Sequence, residues 1–145
     1  MTPPSAQAVP AVVLIRHADV PAGAGSDPVL SANGVARAQE LRHVLGDTGI
    51  SAIFTTRFRR TQQTAEPLAA DLGIAPTVID DVDALAAAIK ALPAGSIALV
   101  VGHTNTIPDV ITGLGGPPIG AIGATEFDNL FAQAGGSLVH LRYGV

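Results

Sequence analysis

The chain has 145 residues, of which 48% are hydrophobic and 14% charged, a balance that excludes an intrinsically disordered protein. It has no cysteine, which excludes disulfide scaffolds, thiol nucleophiles and cysteine-ligated zinc, and no apolar run approaches the ~20 residues of a membrane-spanning helix. The net charge of -4 argues against a general nucleic-acid binder, yet seven of the eight basic residues are arginine, the side chain suited to bidentate binding of phosphate.

The first ten residues, MTPPSAQAVP, carry no charged side chain and are rich in Pro, Ala and Ser. We expect residues 1–10 to form a flexible segment and residues 11–145 to form a single domain. A basic region followed by a long apolar region is missing here, so we do not expect an intact signal peptide. A cytoplasmic location is expected, with an exported mature chain as the alternative.

Strands and helices alternate along the next part of the chain. In chain order we predict a strand at 12–15, a helix capped by Ser31, a strand at 50–55, a helix at 58–72, a strand at 77–79, a helix at 82–92, a strand at 97–101 and a helix at 106–114. A Gly/Pro-rich loop at 115–123 precedes a predicted hairpin, with strands at 129–132 and 137–142. This alternation implies an α/β domain of stacked layers with a mostly parallel sheet.

Histidines follow two of the buried strands directly. Arg16 and His17 come after the first strand, and Gly102 and His103 come after the fourth. Because parallel strands place their carboxyl ends at one edge of a sheet, we expect both imidazoles at the same edge. A lone histidine is more often structural, but two at matching positions favour a functional site.

Three of the eight basic residues, Arg57, Arg59 and Arg60, fall at the start of the second helix. Cations at a helix N-terminus oppose the helix dipole, and a bound anion would relieve the repulsion and meet free backbone N–H groups. A solvated basic helix start is the alternative. The converging His and Arg residues predict a phosphoryl group or a similar anion as ligand.

Four motifs in this order resemble the histidine phosphatase superfamily, which has the phosphoglycerate-mutase-like fold. They are LIRHA at 14–18, LSANG at 30–34, TTRFRRTQQTA at 55–65 and VVGHTN at 100–105. The chain departs from the family pattern at Ala18, where the family has Gly, and at Arg57, where it usually has Pro. The resemblance implies a three-layer sandwich, a mostly parallel central sheet flanked by helices, without a cap domain.

The resemblance also implies roles for single residues. His17 would be the nucleophile, forming a phosphohistidine that water hydrolyses, and Arg16, Arg60 and His103 would bind the phosphoryl oxygens. A backbone carbonyl beyond Ala18 would fix the His17 tautomer. Residues at the rim would contact substrate or have only structural roles: Arg57, Arg59, Thr104 and Asn105.

Two aspartates are candidates for the acid that protonates the leaving group. Asp19 lies two residues after the nucleophile, and Asp83 lies in the Asp80–Asp83 region that corresponds to the usual family position. Each aspartate of that region could instead cap the third helix. Without an acid, phosphoramidates and aryl phosphates would be the favoured substrates.

The short interval between Arg60 and His103 predicts an open, shallow site, as in the phosphohistidine-phosphatase-like branch. We therefore expect a metal-independent phosphatase without a cofactor, acting on a small phosphorylated substrate or a phosphohistidine protein. A phosphate- or phosphoprotein-binding module without turnover is the alternative, and a phosphomutase is a third. His43 and His140 are distant in sequence from the His pair and predict no metal site.

Overall fold

The computed structural model describes residues 9–144. Ten elements follow one another in this part of the chain: β1 (Ala11–Arg16), α1 (Ala32–Leu45), β2 (Ala52–Thr55), α2 (Arg59–Leu72), β3 (Thr77–Val78), α3 (Val82–Lys90), β4 (Ile97–Gly102), α4 (Thr106–Gly113), β5 (Asn129–Ala134) and β6 (Ser137–Arg142). The predicted alternation of strands and helices and the terminal hairpin are confirmed. The prediction of a flexible segment at residues 1–10 falls almost wholly outside the described residues.

The six strands form one sheet in the order β3-β2-β4-β1-β5-β6. Strands β1 to β4 run parallel, whereas β5 is antiparallel to β1 and pairs with β6 as a hairpin at the edge. The strand pairing Arg16↔Gly102 sets β1 and β4 in register at their carboxyl ends. The residues that follow these two strands are therefore neighbours in space.

Helices cover both faces of the sheet, which makes the three-layer sandwich. Along β1, Val13 and Ile15 pack with α1 and α2, while Val12 and Leu14 pack with α3 and α4. Leu14 and Ile15 are fully buried, and burial of each such side chain stabilises the fold by about 1.5–3 kcal/mol. Within residues 9–144 nothing resembling a cap domain is inserted between α2 and β4, where only β3 and α3 lie.

The N-terminal cap of α1 fixes the loop that follows His17 at the carboxyl edge of the sheet. The Ser31 hydroxyl accepts a hydrogen bond from Gly34 N, and Ser31 N donates to the carbonyl of Asp19. A side chain at Gly34 would collide with that same carbonyl, so the glycine allows α1 to begin directly against the loop that follows His17. No described helix is long and apolar enough to cross a membrane.

Candidate active site

Three parallel strands bring His17, Thr56 and His103 to one place. His17 follows β1, and its backbone N donates to the carbonyl of Gly102, the last residue of β4. The rings of His17 and His103 have centroids 5.5 Å apart, and His103 lies 3.0 Å from the hydroxyl of Thr56, which follows β2. The structure places both histidines at the same edge of the sheet, where the sequence predicted them.

His17 is a neutral imidazole, and one of its ring nitrogens is engaged in a hydrogen bond. Its Nδ1 lies 2.8 Å from the carbonyl oxygen of Ala18, and because a carbonyl only accepts, Nδ1 carries the proton. Burial lowers the pKa of His17 to about 4; the Ala18 hydrogen bond opposes this, and nearby Arg16, His103 and Arg60 add to it. Near neutral pH the Nε2 lone pair is therefore free to act as a nucleophile.

A buried threonine fixes the backbone beside His17. The Thr64 hydroxyl, on α2, accepts from Ala18 N at 2.8 Å and donates to the carbonyl of Arg60 at 2.7 Å. One hydroxyl therefore links the loop after β1 to the first turn of α2. This contact sets the distance between His17 and the arginine of that turn.

Hydrogen bonds hold the Arg16 guanidinium through Nη1, whereas its Nε has no partner among the described residues. Its Nη1 donates to the carbonyls of Gly123, Ala124 and Glu126, at 3.3, 2.9 and 2.9 Å, and its guanidinium carbon lies 4.0 Å from the Phe127 ring centroid. Its Nε is buried without a partner in the protein. Burial lowers the pKa of Arg16, with Arg60 adding to the effect and Asp19 and Glu126 opposing it. The Nε–Nη2 edge is the one that binds an oxyanion in bidentate fashion.

His103 is also neutral at ordinary pH. Burial lowers the pKa of His103 to about 4, with Arg60 and Arg16 adding to the effect and Asp80 opposing it. The Thr56 hydroxyl that contacts its Nε2 also lies 3.0 Å from the Thr61 hydroxyl. A phosphoryl dianion bound between Arg16 and Arg60 would raise the pKa of His103, because its negative charge would offset the positive charges of the two arginines.

The arginines at the start of α2 are partly balanced by aspartates from other loops. Asp27 accepts from Arg59 N at 2.9 Å and lies 3.4 Å from Arg59 Nε, and Asp80 accepts from Arg57 N at 2.9 Å and lies 3.7 Å from Arg57 Nη1. Asp27 and Asp80 therefore supply part of the negative charge that we expected a bound anion to bring to this helix start. Arg60 differs, since its Nη1 donates only to a carbonyl, that of Ser26 at 3.1 Å.

An open cleft of about 460 Å³ lies over these groups. Its lining comprises Arg16, His17, Thr56, Arg57, Phe58, Arg60, Asp80, His103, Thr104, Asn105 and Thr106. A second depression of about 550 Å³ continues from Arg16, His17 and Arg60 between the 20–28 loop and residues 124–127. Together they form a groove that is open on both sides of His17.

Seven of the predicted site residues line this cleft, and three, Arg59, Asp19 and Asp83, do not. Asp19 forms an ion pair of 2.6 Å with Arg37, on the side of the loop that faces α1. Asp83 is exposed in the first turn of α3, and Asp81 caps that helix by accepting from Ala84 N. Asp80 is the carboxylate of this region that reaches the cleft.

Sequence reasoning missed several residues that shape the site. Thr56 carried the same signal as the histidines, a polar residue directly after a buried strand, and could have been found by it. Glu126 and Phe127 follow an irregular loop far along the chain, and nothing in their spacing pointed to Arg16. Ser26 contributes through its carbonyl alone, which no side-chain pattern reveals.

The remaining histidines lie elsewhere, as predicted. His43 is exposed on α1, and His140 stacks on Phe131 at 4.5 Å and lies 2.7 Å from the side-chain oxygen of Asn129 on the hairpin. Across residues 9–144, three or more His, Asp or Glu side chains nowhere cluster in an arrangement that could hold a metal ion.

Comparison with known proteins gives one family and several related folds. The family model described as histidine phosphatase superfamily (branch 1) matches residues 12–85. A PE-PGRS family protein, PE_PGRS11 of Mycobacterium tuberculosis, is 35% identical over 99 residues, which cover 59% of this chain and 17% of that protein. The chain therefore matches less than a fifth of the length of this relative.

Solved structures of phosphatases share the fold along nearly the whole chain. The protein histidine phosphatase SixA complexed with tungstate superposes with a TM-score of 0.72 at 20% identity, covering 92% of this chain and 96% of that one. Phosphoserine phosphatase from Entamoeba histolytica, in complex with 3-phosphoglyceric acid, gives a TM-score of 0.68 at 15% identity, with 94% and 98% covered. A mycobacterial glucosyl-3-phosphoglycerate phosphatase gives a TM-score of 0.68 at 13% identity, with 93% and 98% covered.

Proposed function

The chain belongs to the histidine phosphatase superfamily (branch 1), and from that membership we propose that it is a phosphatase acting through a phosphohistidine on His17. The substrate is a phosphomonoester or a phosphoramidate. One observation carries the proposal: His17 holds its proton on Nδ1 against the Ala18 carbonyl, so that Nε2 is available beside Arg16, Arg60 and His103.

In the first step Nε2 of His17 attacks phosphorus, and the bond from phosphorus to the leaving oxygen or nitrogen breaks. The electron pair departs with the leaving group, which takes up a proton. In the second step water attacks the phosphohistidine, which returns neutral His17 and releases inorganic phosphate. Covalent transfer of this kind divides one difficult displacement into two easier ones.

The charges of the cleft fit one phosphoryl dianion. Arg57 is balanced by Asp80, whereas Arg16 and Arg60 contact only carbonyl oxygens and aromatic rings and keep their charges uncompensated by a close carboxylate. With both histidines neutral, two positive charges remain to meet two negative ones. Such preorganised donors stabilise charge on the equatorial oxygens in the transition state.

For the leaving-group proton we assign Asp80 rather than Asp19 or Asp83. Asp80 lines the same cleft as His17, whereas Asp19 is paired with Arg37 and Asp83 lies on the exposed first turn of α3. The carboxylate of Asp80 is already engaged, since it accepts from Arg57 N and lies 3.7 Å from Arg57 Nη1. Leaving groups that depart readily, such as phosphoramidates and aryl phosphates, are therefore the better substrates.

The open groove favours either a small phosphorylated compound or a phosphohistidine on a protein. Depressions lie on both sides of His17 without an inserted cover, so an extended segment of another chain has room to pass across the nucleophile. One structural neighbour is described as a protein histidine phosphatase, which is consistent with such a substrate. The same openness argues against a phosphomutase, which must retain its intermediate.

The test measures release of phosphate from p-nitrophenyl phosphate and from phosphohistidine-containing protein, with EDTA present. We expect His17→Ala to abolish turnover and Arg60→Ala to lower kcat by about 10²–10³. Arg42→Ala is the matched control, because Arg42 lies on α1 with its closest carboxylate, Asp71, 3.9 Å away, and does not line the cleft. Equal rates for wild type and His17→Ala would refute the proposal.

A binding module without turnover is the second candidate, favoured by the engagement of Asp80 with Arg57. It predicts that calorimetry detects phosphate binding while no ester, phosphoramidate or phosphohistidine protein releases phosphate. Trapping of a phosphoenzyme that is stable in alkali and labile in acid would decide for the enzyme. The trapped group must be missing in His17→Ala.

A further inference from the structure

The orientation of Arg16 depends on a short segment near the end of the described chain. All three carbonyls that accept from its Nη1, those of Gly123, Ala124 and Glu126, lie within four residues, and the Phe127 ring beneath its guanidinium follows at once. We call residues 123–127 the clamp turn. The clamp turn lies outside the region that the family model matches, residues 12–85.

The side chain of Glu126 closes the clamp turn and attaches it to the sheet. Its Oε1 accepts from Gly123 N at 3.0 Å, and Glu126 N donates back to the Gly123 carbonyl at 3.0 Å. Its Oε2 accepts from the side-chain amide of Asn129, a buried residue that begins β5, at 3.1 Å. These hydrogen bonds lower the pKa of Glu126, so the carboxylate stays ionised near neutral pH.

A guanidinium bound through Nη1 has one bidentate edge left, formed by Nε and Nη2. The Nε atom of Arg16 is buried and has no partner in the protein, and the cleft lies beside it. If the three carbonyls moved, Nη1 would lose its acceptors and the side chain could turn about its long stem. The fork geometry needed for two parallel hydrogen bonds to a phosphoryl group would then be lost.

We propose that Glu126 is a positioning residue for phosphoryl binding, which acts by closing the clamp turn that orients Arg16. The inference rests on the proposed function, because it assigns to Arg16 the phosphoryl group as ligand. Glu126 does not itself touch the substrate. Its effect passes through backbone carbonyls to one guanidinium.

Gly123→Ala tests this without changing any charge. A Cβ at Gly123 would lie 2.7 Å from Oε1 of Glu126, and its φ is not in the left-handed region. Since Oε1 is the free end of a flexible side chain, the fold accommodates the methyl group while the carboxylate leaves Gly123 N. Gly120→Ala is the matched control, because nothing lies within 4 Å of a Cβ there.

The effect is measured as the Kd for inorganic phosphate by calorimetry and as kcat/KM with p-nitrophenyl phosphate. We expect Gly123→Ala and Glu126→Ala to weaken phosphate binding about tenfold, in line with the loss of one well-aligned hydrogen bond to a charged group. Glu126→Gln keeps one acceptor, which can serve Gly123 N, but it loses the acceptor for the Asn129 amide, so its Kd is expected to fall between those of wild type and Glu126→Ala. Asp128→Ala removes a neighbouring carboxylate that pairs with Arg142, and it should leave the Kd unchanged.

A double-mutant cycle separates positioning from a general loss of structure. In an Arg16→Lys background, where no fork remains to be oriented, we expect the effect of Gly123→Ala on the Kd to fall below about twofold. An undiminished effect in that background, or a Gly123→Ala protein that binds phosphate as well as Gly120→Ala, would overturn the inference. Wild-type protein that binds phosphate without turnover refutes the proposed phosphatase and leaves this measurement of Kd intact.

Discussion

Acidification should destabilise this protein through His17, the proposed nucleophile. The pKa of His17 is lowered from 6.5 to about 4, chiefly by burial, so the folded state holds it neutral while an unfolded chain protonates it near its ordinary pKa. Between these two values the unfolded state binds more protons than the folded state. The free energy of unfolding therefore falls as the pH drops from about 6.5 towards about 4, and His17 adds no further dependence below that.

The size of the effect follows from the two pKa values. For a pKa of 6.5 in the unfolded chain and about 4 in the fold, the linkage relation gives a loss of about 2 kcal/mol between pH 7 and pH 5. His17 lines an open cleft, so its burial is incomplete and we expect about 1–2 kcal/mol from it in practice. His103 has a pKa lowered to about 4 by burial and contributes with the same sign.

The assay is urea unfolding of wild type and His17→Gln, which carries a neutral amide, at several pH values from about 7 down to about 4.5. The difference in unfolding free energy between the two proteins isolates His17 from the carboxylates, which titrate in both. As the pH falls, the unfolding free energy of wild type should decrease by about 1–2 kcal/mol relative to that of His17→Gln. A difference that stays constant over this range would refute the idea that burial keeps the nucleophile neutral.

Three further predictions follow from contacts of the cleft. Thr56→Val removes the hydroxyl beside His103 Nε2 and should lower kcat by about tenfold, whereas Thr56→Ser should keep the rate; a full-rate Thr56→Val would contradict this role. Asp80→Asn should slow hydrolysis of alkyl phosphates more than that of p-nitrophenyl phosphate, and an equal loss on both would argue against Asp80 as the acid. Thr64→Val leaves Ala18 N without its acceptor and should lower the free energy of unfolding by about 1–3 kcal/mol in urea titrations, with Thr64→Ser as control; an unchanged midpoint would count against this contact.

Much of the fold was predictable because local signals agreed with the tertiary structure. Ser31 caps α1 as predicted, and α2 ends at Leu72, the predicted last residue, where Gly73 follows in the left-handed conformation. The apolar, β-branched run at 12–15 became the core of β1, buried on both faces. The histidines were found because a polar residue directly after such a strand has only the sheet edge to occupy.

Neither the candidate acid nor the pairing of aspartates with arginines could be predicted from the sequence, and the reason is the same for both. Asp19 is a candidate because it lies close to His17 along the chain, but its carboxylate is paired with Arg37, a partner set by the packing of α1. Asp27 similarly approaches Arg59 from a loop 32 residues away. Whether a carboxylate is free or paired is decided by such distant neighbours, and spacing within a motif carries no information about them.

The position of β1 in the sheet has a consequence for synthesis on the ribosome. This strand emerges early, yet its two neighbours are β4 and β5, and Arg16 finds its carbonyl acceptors 107 to 110 residues later in the chain. The apolar strand that precedes the nucleophile therefore has no partner until most of the domain has left the exit tunnel. Pairings of such long sequence separation form slowly and expose apolar strands meanwhile. A nascent chain that stops before the clamp turn would carry His17, Arg16 and Arg60 without the carbonyls that orient Arg16, so the proposed phosphoryl site is completed only after the clamp turn has been synthesised.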